Sequence, residues 1–320
     1  MSTLSSEQLS RYDRQIRLWG FEGQKRVLFI GVNQFMLEAL KNLVLGGIGH
    51  LTIVDDQVLT DQDINDLYIL NKDDIGIKKG LAISKKLVDF NTAVDISTGL
   101  SEKCVDEEFI STFQLVVLSN PSFEENIRIN ELCRKTETKF ISSNLFGTYG
   151  YIFCDLFEHT YKINSKSSTS SDTSENKPKT DTFSESYTSL QKSTAHIFEK
   201  VSMRKTRRLV SPLYFILLGY MKLYDKNQLS QKDLLPNADD LNQIVFEIIK
   251  SSNIYSEFID KQKIRTFLEC LNLRLASFSS VLGGILAQEI IKVISGKDLP
   301  ISNWLFFDSL ESDALIYKIS

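Results

Sequence analysis

The chain has 320 residues and a mass of 36.5 kDa, and its 37 Lys+Arg against 41 Asp+Glu give a formal net charge of −4 and an isoelectric point near 5.6. This length allows one large domain or about two ordinary ones, and the mild acidity argues against a nucleic-acid partner, whose phosphates need a basic surface. The sequence has no uninterrupted run of 18 apolar residues and no basic-then-apolar N-terminus. We therefore expect no membrane partner and a location in the cytosol or the nucleus.

Short apolar runs alternate with amphipathic stretches from Val27 to about Cys154, which is typical of βαβ units and a parallel sheet. The apolar runs predict strands over residues 27–31, 51–55, 94–97, 115–119, 140–142 and 149–156. The helical spacing of apolar residues predicts helices over residues 35–45, 78–90, 106–113 and 124–134.

The composition changes sharply after this half. Eight of the ten residues 165–174 are Ser or Thr, and polar residues continue to about Thr194. Such a segment buries too little apolar surface to offset its backbone entropy, so we expect a flexible insertion over residues 159–200. Beyond it, apolar patterns predict helices over 213–224, 238–250, 257–273 and 279–295 and strands over 304–307 and 314–319. We therefore interpret 1–158 and 201–320 as two parts of one interrupted fold.

Two features of the composition bear on chemistry. The helix predicted over 279–295 contains Gly283 and Gly284 in its interior, at a cost of about 1 kcal/mol each, so we expect another helix or sheet to approach closely there, in this chain or a partner. The four cysteines are widely separated and form no C-x-x-C pair, so we expect reduced, buried thiols and neither a zinc site nor a disulfide framework.

Residues 27–35 (VLFIGVNQF) read as a strand, a turn and a helix start, the place where a Rossmann-like fold cradles phosphate on backbone N–H groups. Such loops normally carry three glycines, whereas this one has only Gly31, with Asn33 and Gln34 where the backbone should approach phosphate most closely. Asp55 ends the next predicted strand, where an acid can bind a ribose hydroxyl or simply cap a loop. The loop alone is a weak indication of a dinucleotide or ATP site.

Four motifs occur in order along the chain. They are residues 11–20 (RYDRQIRLWG), 49–55 (GHLTIVD), 146–151 (FGTYGY) and 283–290 (GGILAQEI), the last followed by WLFFD at 304–308. Together they resemble the enzymes that activate ubiquitin-like proteins and their bacterial sulfur-carrier relatives, and most closely the small subunits of heterodimeric SUMO-activating enzymes. The resemblance implies an α/β fold of the ThiF/MoeB type: a Rossmann-like adenylation fold with a mainly parallel sheet, flanking helices and the polar insertion.

Members of this group that adenylate on their own carry a glycine-rich loop, an Asp, an Asn-Arg pair, a Lys and a magnesium-binding Asp. The positions that match in this chain are Gly31, Asp55, Asn65 and Lys79. Asp66 stands where the Arg would be, and Pro121 stands where the magnesium ligand would be. A carboxylate repels a triphosphate, and a proline side chain ligates no metal. The resemblance thus implies a degenerate cofactor site and no metal site in this chain.

The small subunits that this chain resembles leave ATP and Mg²⁺ to a larger partner subunit, which also carries the thioester cysteine. They contribute one arginine in trans to the partner's ATP phosphates, and that arginine corresponds to Arg14 here. The resemblance therefore implies a large catalytic subunit and SUMO as partners, a SUMO-conjugating enzyme as an indirect one, and no activity of the chain alone. Composition alone favours a structural role, in which Arg14 or Arg17 pairs with Asp13 or Glu22 on a solvated helix, and the resemblance reverses that preference.

Several alternatives stay open at this level. The chain also fits the small subunit of a NEDD8-activating enzyme, or a non-catalytic Rossmann-like scaffold, while a nicotinamide-dependent dehydrogenase would need the missing loop glycines. The basic cluster at 204–208 (RKTRR) fits a nuclear-import signal or a solvated edge. With the resemblance, we expect a nuclear location with some cytoplasmic protein.

Overall fold

The computed structural model describes residues 26–99, 101, 104–165, 179–200, 202–227 and 237–319. Its strands are β1 (Arg26–Ile30), β2 (His50–Val54), β3 (Asp95–Thr98), β4 (Leu115–Leu118), β5 (Lys139–Phe146), β6 (Tyr149–Asp155), β7 (Glu158–Ser165), β8 (Lys179–Ser186), β9 (Trp304–Asp308) and β10 (Asp313–Tyr317). Its helices are α1 (Gln34–Leu45), α2 (Asp61–Asp66), α3 (Lys79–Val88), α4 (Glu107–Ser111), α5 (Phe123–Lys135), α6 (Leu190–Thr194), α7 (Met203–Leu209), α8 (Pro212–Asn227), α9 (Ala238–Ser251), α10 (Lys261–Cys270) and α11 (Ala276–Ser295). Short 3₁₀ turns span Lys72–Asp74 and Ser256–Phe258.

Eight strands form the central sheet in the order β10-β9-β6-β5-β4-β1-β2-β3. The five strands from β5 to β3 are parallel, and β6, β9 and β10 continue the sheet in antiparallel pairing. Because β9 pairs with β6, strands from both ends of the chain share one sheet. The expected Rossmann-like α/β fold is confirmed.

Apolar side chains of alternate strand residues fill a core on each face of the sheet. On one face Val27 and Phe29 pack with residues of α1, α3 and α11, and on the other Leu28 and Ile30 pack with residues of α5 and α8 to α10. This alternation is what a buried parallel strand needs, since successive side chains point to opposite faces.

The helix α11 is the one described helix long and apolar enough to cross a membrane by composition, yet half of its most apolar window is buried in the fold. Gly283 packs against α1, where a Cβ would lie 2.5 Å from the carbonyl oxygen of Phe35. Gly296 ends the helix in the left-handed conformation, with a φ of 63°. The packing of α11 against α1 therefore accounts for part of its apolar composition.

The range 159–200, expected to be flexible, holds regular structure on both sides of residues 166–178, which lie outside the described part. The strands β7 and β8 form an antiparallel hairpin in which the rings of Tyr161 and Phe183 stack at 5.7 Å. The short helix α6 follows, and its Leu190 backbone N–H donates to the buried Asn130 side chain at 3.0 Å. The expectation was wrong there because these contacts come from distant residues, which a local polar composition does not reveal.

Two smaller expectations also differ from the structure. The helix expected over 257–273 is divided, because the Asp260 side chain accepts a hydrogen bond from the Gln262 backbone N–H and caps a new helix, α10. Among the cysteines, Cys133 and Cys154 are buried as expected, whereas Cys104 is exposed and Cys270 is partly exposed.

Candidate functional site

A cavity of about 560 Å³ lies at the carboxyl ends of β1, β4 and β5. Because β2 and β4 lie on opposite sides of β1, the sheet changes its direction of growth here, and open α/β sheets bind ligands at such a point. The loop after β1, the turn after β4, α2 and the segment between α10 and α11 form its walls. The cavity therefore lies beside the loop after β1, whose sequence gives a weak indication of phosphate binding.

The loop after β1 is occupied by one of its own side chains. Asn33 caps α1: its Oδ1 accepts a hydrogen bond from the Met36 backbone N–H at 3.1 Å, and its Nδ2 donates to Ser119 Oγ at 3.0 Å and to Asn144 Oδ1 at 3.3 Å. Gly31 has a φ of 75°, and a Cβ there would collide with the carbonyl oxygen of Ser119. Gly31 therefore serves a close approach between two strand ends, and the Asn33 carboxamide takes up a helix N–H that a phosphate would otherwise use.

Asp55 is buried and holds this loop in place. Its carboxylate accepts hydrogen bonds from the backbone N–H of Val32 at 2.8 Å and of Gln57 at 3.2 Å. Burial raises the pKa of Asp55, while Lys79 and the two N–H donors act in the opposite direction. Both carboxylate oxygens are thus engaged within the chain, and Asp55 is absent from the residues that line the cavity.

Lys79 does line the cavity, and its charge is matched by a neighbouring carboxylate. Its Nζ lies 3.2 Å from Asp63 Oδ1 and donates to Gln57 Oε1 at 3.3 Å. Burial acts to raise the pKa of Asp63, but hydrogen bonds from Thr60 and the charge of Lys79 prevail and lower it. A lysine in this arrangement has little unmatched charge to offer a phosphate.

The remaining predicted positions lie on α2 or just beyond it. Asn65 is exposed on that helix and is not one of the cavity-lining residues. Its neighbour Asp66 lines the cavity, where its Oδ2 lies 3.7 Å from Arg274 Nε. Burial raises the pKa of Asp66 and the charge of Arg274 opposes that rise. Pro121 also lines the cavity.

These residues do not fit a magnesium triphosphate. Among the described residues, Asp63 and Asp66 line the cavity and pair with the two cationic side chains there, Lys79 and Arg274. Asn33 occupies the N-terminus of α1. Within the described ranges, no group of three His, Cys, Asp or Glu side chains is arranged to hold a metal ion. Of the predicted cofactor residues, only Lys79 reaches the cavity.

Arg14, the predicted catalytic residue, lies outside the described residues. Sequence analysis missed Arg274, Asn144, Tyr220 and Tyr224, which the fold brings to the cavity from β5, α8 and the segment before α11. The four-residue spacing of Tyr220 and Tyr224 in a predicted helix was an available signal, because it puts both phenols on one helix face.

Comparison with known proteins gives one family and many full-length relatives. The model described as the ThiF family matches residues 12–319. SUMO-activating enzyme subunit 1 of Dictyostelium discoideum is 29% identical, covering 95% of this chain and 91% of the relative. DNA damage tolerance protein rad31 of Schizosaccharomyces pombe is 31% identical, covering 99% and 98%. Human SUMO-activating enzyme subunit 1 is 28% identical, covering 98% and 95%.

Proposed function

Because the chain belongs to the ThiF family, we propose that it is the small subunit of a SUMO-activating heterodimer and is inactive without its larger partner. The observation that carries the proposal is its similarity over nearly its whole length to proteins named SUMO-activating enzyme subunit 1. The cavity supports the second half of the proposal, since its residues do not fit a magnesium triphosphate. We expect the heterodimer to act mainly in the nucleus, with some protein in the cytoplasm.

In this proposal the partner subunit binds ATP and Mg²⁺ and carries the cysteine that accepts SUMO as a thioester. ATP supplies the activating group for the SUMO C-terminus, which becomes an adenylate before transfer to that cysteine. The SUMO-conjugating enzyme meets this chain only indirectly, through the loaded partner. The role that we assign to this chain is to contribute a residue in trans to the ATP site of the partner subunit.

Arg14 is the residue to which we assign that part. Attack of a carboxylate on the α-phosphate builds negative charge on the departing pyrophosphate. A guanidinium is permanently charged and planar, so it can hold two phosphate oxygens at once and stabilise that charge. Lysine at this position would keep the charge but lose the two-oxygen geometry.

The proposal is tested in the purified heterodimer by SUMO-dependent exchange between ATP and pyrophosphate. We expect Arg14→Ala to slow the exchange by about 10²–10³, the loss that follows removal of one preorganised charge donor. Arg14→Lys should recover only part of that loss, and Arg207→Ala, which removes an exposed arginine of α7, should exchange normally. Exchange at the wild-type rate in Arg14→Ala would remove Arg14 from the mechanism.

The choice of modifier is tested by thioester formation on the partner subunit. We expect charging with SUMO and none with NEDD8, and only in the presence of this chain. Charging with NEDD8 instead would assign the chain to the related NEDD8-activating enzyme. Full charging by the partner alone would reduce the chain to a scaffold.

A further inference from the structure

The basic cluster at 204–208 is a feature that the activation chemistry does not use. In the structure it forms the helix α7, in which Thr206 is buried, and Val210, which follows the helix, is buried too. Met203 packs against the core, and the Thr206 backbone N–H donates to the Ser202 carbonyl oxygen at 2.9 Å. The cluster is therefore displayed on a helix that is fixed to the fold, and not on an extended stretch of chain.

One side of α7 forms a band of three cations and one apolar residue. Arg204 and Arg208 lie one turn apart, as do Lys205 and Leu209, and the four positions lie within about 140° of the helix circumference. All four are exposed, Leu209 to 44%, whereas the buried Thr206 lies on the far side of the helix. We call Arg204, Lys205, Arg208 and Leu209 the basic band.

The basic band has no counter-charge among the described residues. None of the ion pairs in that part of the chain includes Arg204, Lys205 or Arg208. An exposed guanidinium presents several N–H donors, and it can hold both oxygens of a carboxylate. The band is thus able to receive an anionic group from another molecule.

The stability of α7 does not account for the basic band. The amino end of a helix carries partial positive charge, so cations in the first turn are unfavourable. Arg204 and Lys205 both lie in the first turn of α7, which holds no acidic residue. Arg204 and Arg208 also repel each other across one turn. A ligand that carries carboxylates would relieve both effects.

Charge complementarity identifies the kind of ligand. The seven residues of α7 span about 10 Å, which is the length of about three residues of an extended peptide. Side chains on one side of an extended peptide recur about every 6.6 Å, close to the rise of about 6 Å between Arg204 and Arg208. Two acidic residues separated by one residue can therefore meet both guanidinium groups, and Leu209 can contact an apolar neighbour.

Two other classes of anionic partner fit the band less well. Nucleic acids are held by many cations along the phosphate backbone, whereas this band is confined to one short helix in a chain with 37 Lys+Arg against 41 Asp+Glu. A helix that inserts into an anionic membrane needs a free apolar face. The inner side of α7, with Met203 and Thr206, is packed in the fold.

We propose that the basic band is a docking face for an acidic peptide segment of a partner protein. Arg204 and Arg208 pair with two carboxylates, Lys205 supplies a further charge, and Leu209 packs against an apolar side chain of the peptide. This role goes beyond the activation of SUMO, and it does not depend on Arg14.

The test uses the purified full chain in isothermal calorimetry at low salt. One probe is a peptide with glutamate at alternate positions and one leucine, and its control has glutamine in place of glutamate. We expect the glutamate peptide to bind with a Kd of about 10 μM–1 mM and the glutamine peptide to bind at least about tenfold more weakly.

The double variant Arg204→Glu with Lys205→Glu should bind the glutamate peptide at least about tenfold more weakly than the wild type. The matched control is Lys261→Glu with Arg265→Glu, which reverses two exposed charges on α10 and should bind the peptide as the wild type does. Because glutamate is favoured in the first turn of a helix, the variant at 204 and 205 should melt at or above the wild-type temperature. Binding and folding would thus change in opposite directions.

Several results would overturn the proposal. They are absence of binding of the glutamate peptide at millimolar concentration, equal affinity for the two peptides, and wild-type affinity in the variant at 204 and 205. Tighter binding of single-stranded DNA, or of vesicles that contain phosphatidylserine, would assign the band to a nucleic acid or a membrane instead. The comparison of these probes uses the wild-type chain only, so it does not depend on how any variant folds.

Discussion

Two adjacent glycines in the interior of α11 differ in what surrounds them, and this gives a sharp test of the packing. A Cβ on Gly283 would lie 2.5 Å from the carbonyl oxygen of Phe35, 2.7 Å from Glu38 Cβ and 3.1 Å from the backbone N of Ala39. A Cβ on Gly284 would meet nothing within 4 Å. Alanine should therefore be destabilising at the first position and stabilising at the second.

The magnitudes follow from two opposing effects. Alanine is favoured over glycine in a helix interior by about 1 kcal/mol. At Gly283 this gain is outweighed by the overpacking of α11 against the backbone of α1, which costs about 1–3 kcal/mol and here falls near the upper end because rigid atoms lie within 3 Å. We expect Gly284→Ala to stabilise by up to about 1 kcal/mol and Gly283→Ala to destabilise by about 1–2 kcal/mol.

The assay is thermal unfolding of the purified full chain by calorimetry, with the two variants serving as each other's control. An unfolding entropy of about 2.1 cal/mol/K per residue over 320 residues makes 1 kcal/mol correspond to about 1.5 °C. Gly284→Ala should therefore melt about 1.5 °C above the wild type and Gly283→Ala about 1.5–3 °C below it. Shifts of the same sign in both variants would refute the close packing of α11 on α1.

Two further predictions concern charged groups. Arg134 holds the fully buried Asp155 by two hydrogen bonds of 2.7 Å, so Arg134→Ala should destabilise the chain by about 3–5 kcal/mol, measured by urea unfolding, and Asp155→Asn added to it should recover part of the loss. A loss below about 1 kcal/mol would contradict the buried-charge reasoning. The folded-state pKa of Asp63 is lowered, so its ionisation stabilises the fold above the unfolded pKa of about 3.9 and ceases to do so as the pH falls through the folded value. Asp63→Asn should therefore melt below the wild type at neutral pH and converge with it in acid, and a constant difference across the pH range would refute that role.

Much of the sheet and its helices was predictable because the signals are local. The apolar run at 27–31 became β1, and the helical spacing over 238–250 became α9, each within a residue or two of the expected bounds. The β7–β8 hairpin was missed because its stability depends on pairing between segments separated by residues 166–178. Periodicity within one strand carries no information about a partner strand whose own residues are mostly polar.

The candidate site, like the fold, was predictable from the sequence in part only. The sequence already disfavoured a site for phosphate and magnesium, because it has Asn33, Asp66 and Pro121 at the key positions. The chemistry of a carboxamide, a carboxylate and a proline ring does not depend on the fold. The sequence also indicated the family, because the four motifs occur in the same order along the chain as in its relatives. Only the tertiary structure decided that the Asp55 carboxylate is engaged by backbone N–H groups of the loop after β1 and that Arg274 pairs with Asp66 across 208 positions. These are properties of distance between residues far apart in the chain, and packing of the whole fold sets those distances.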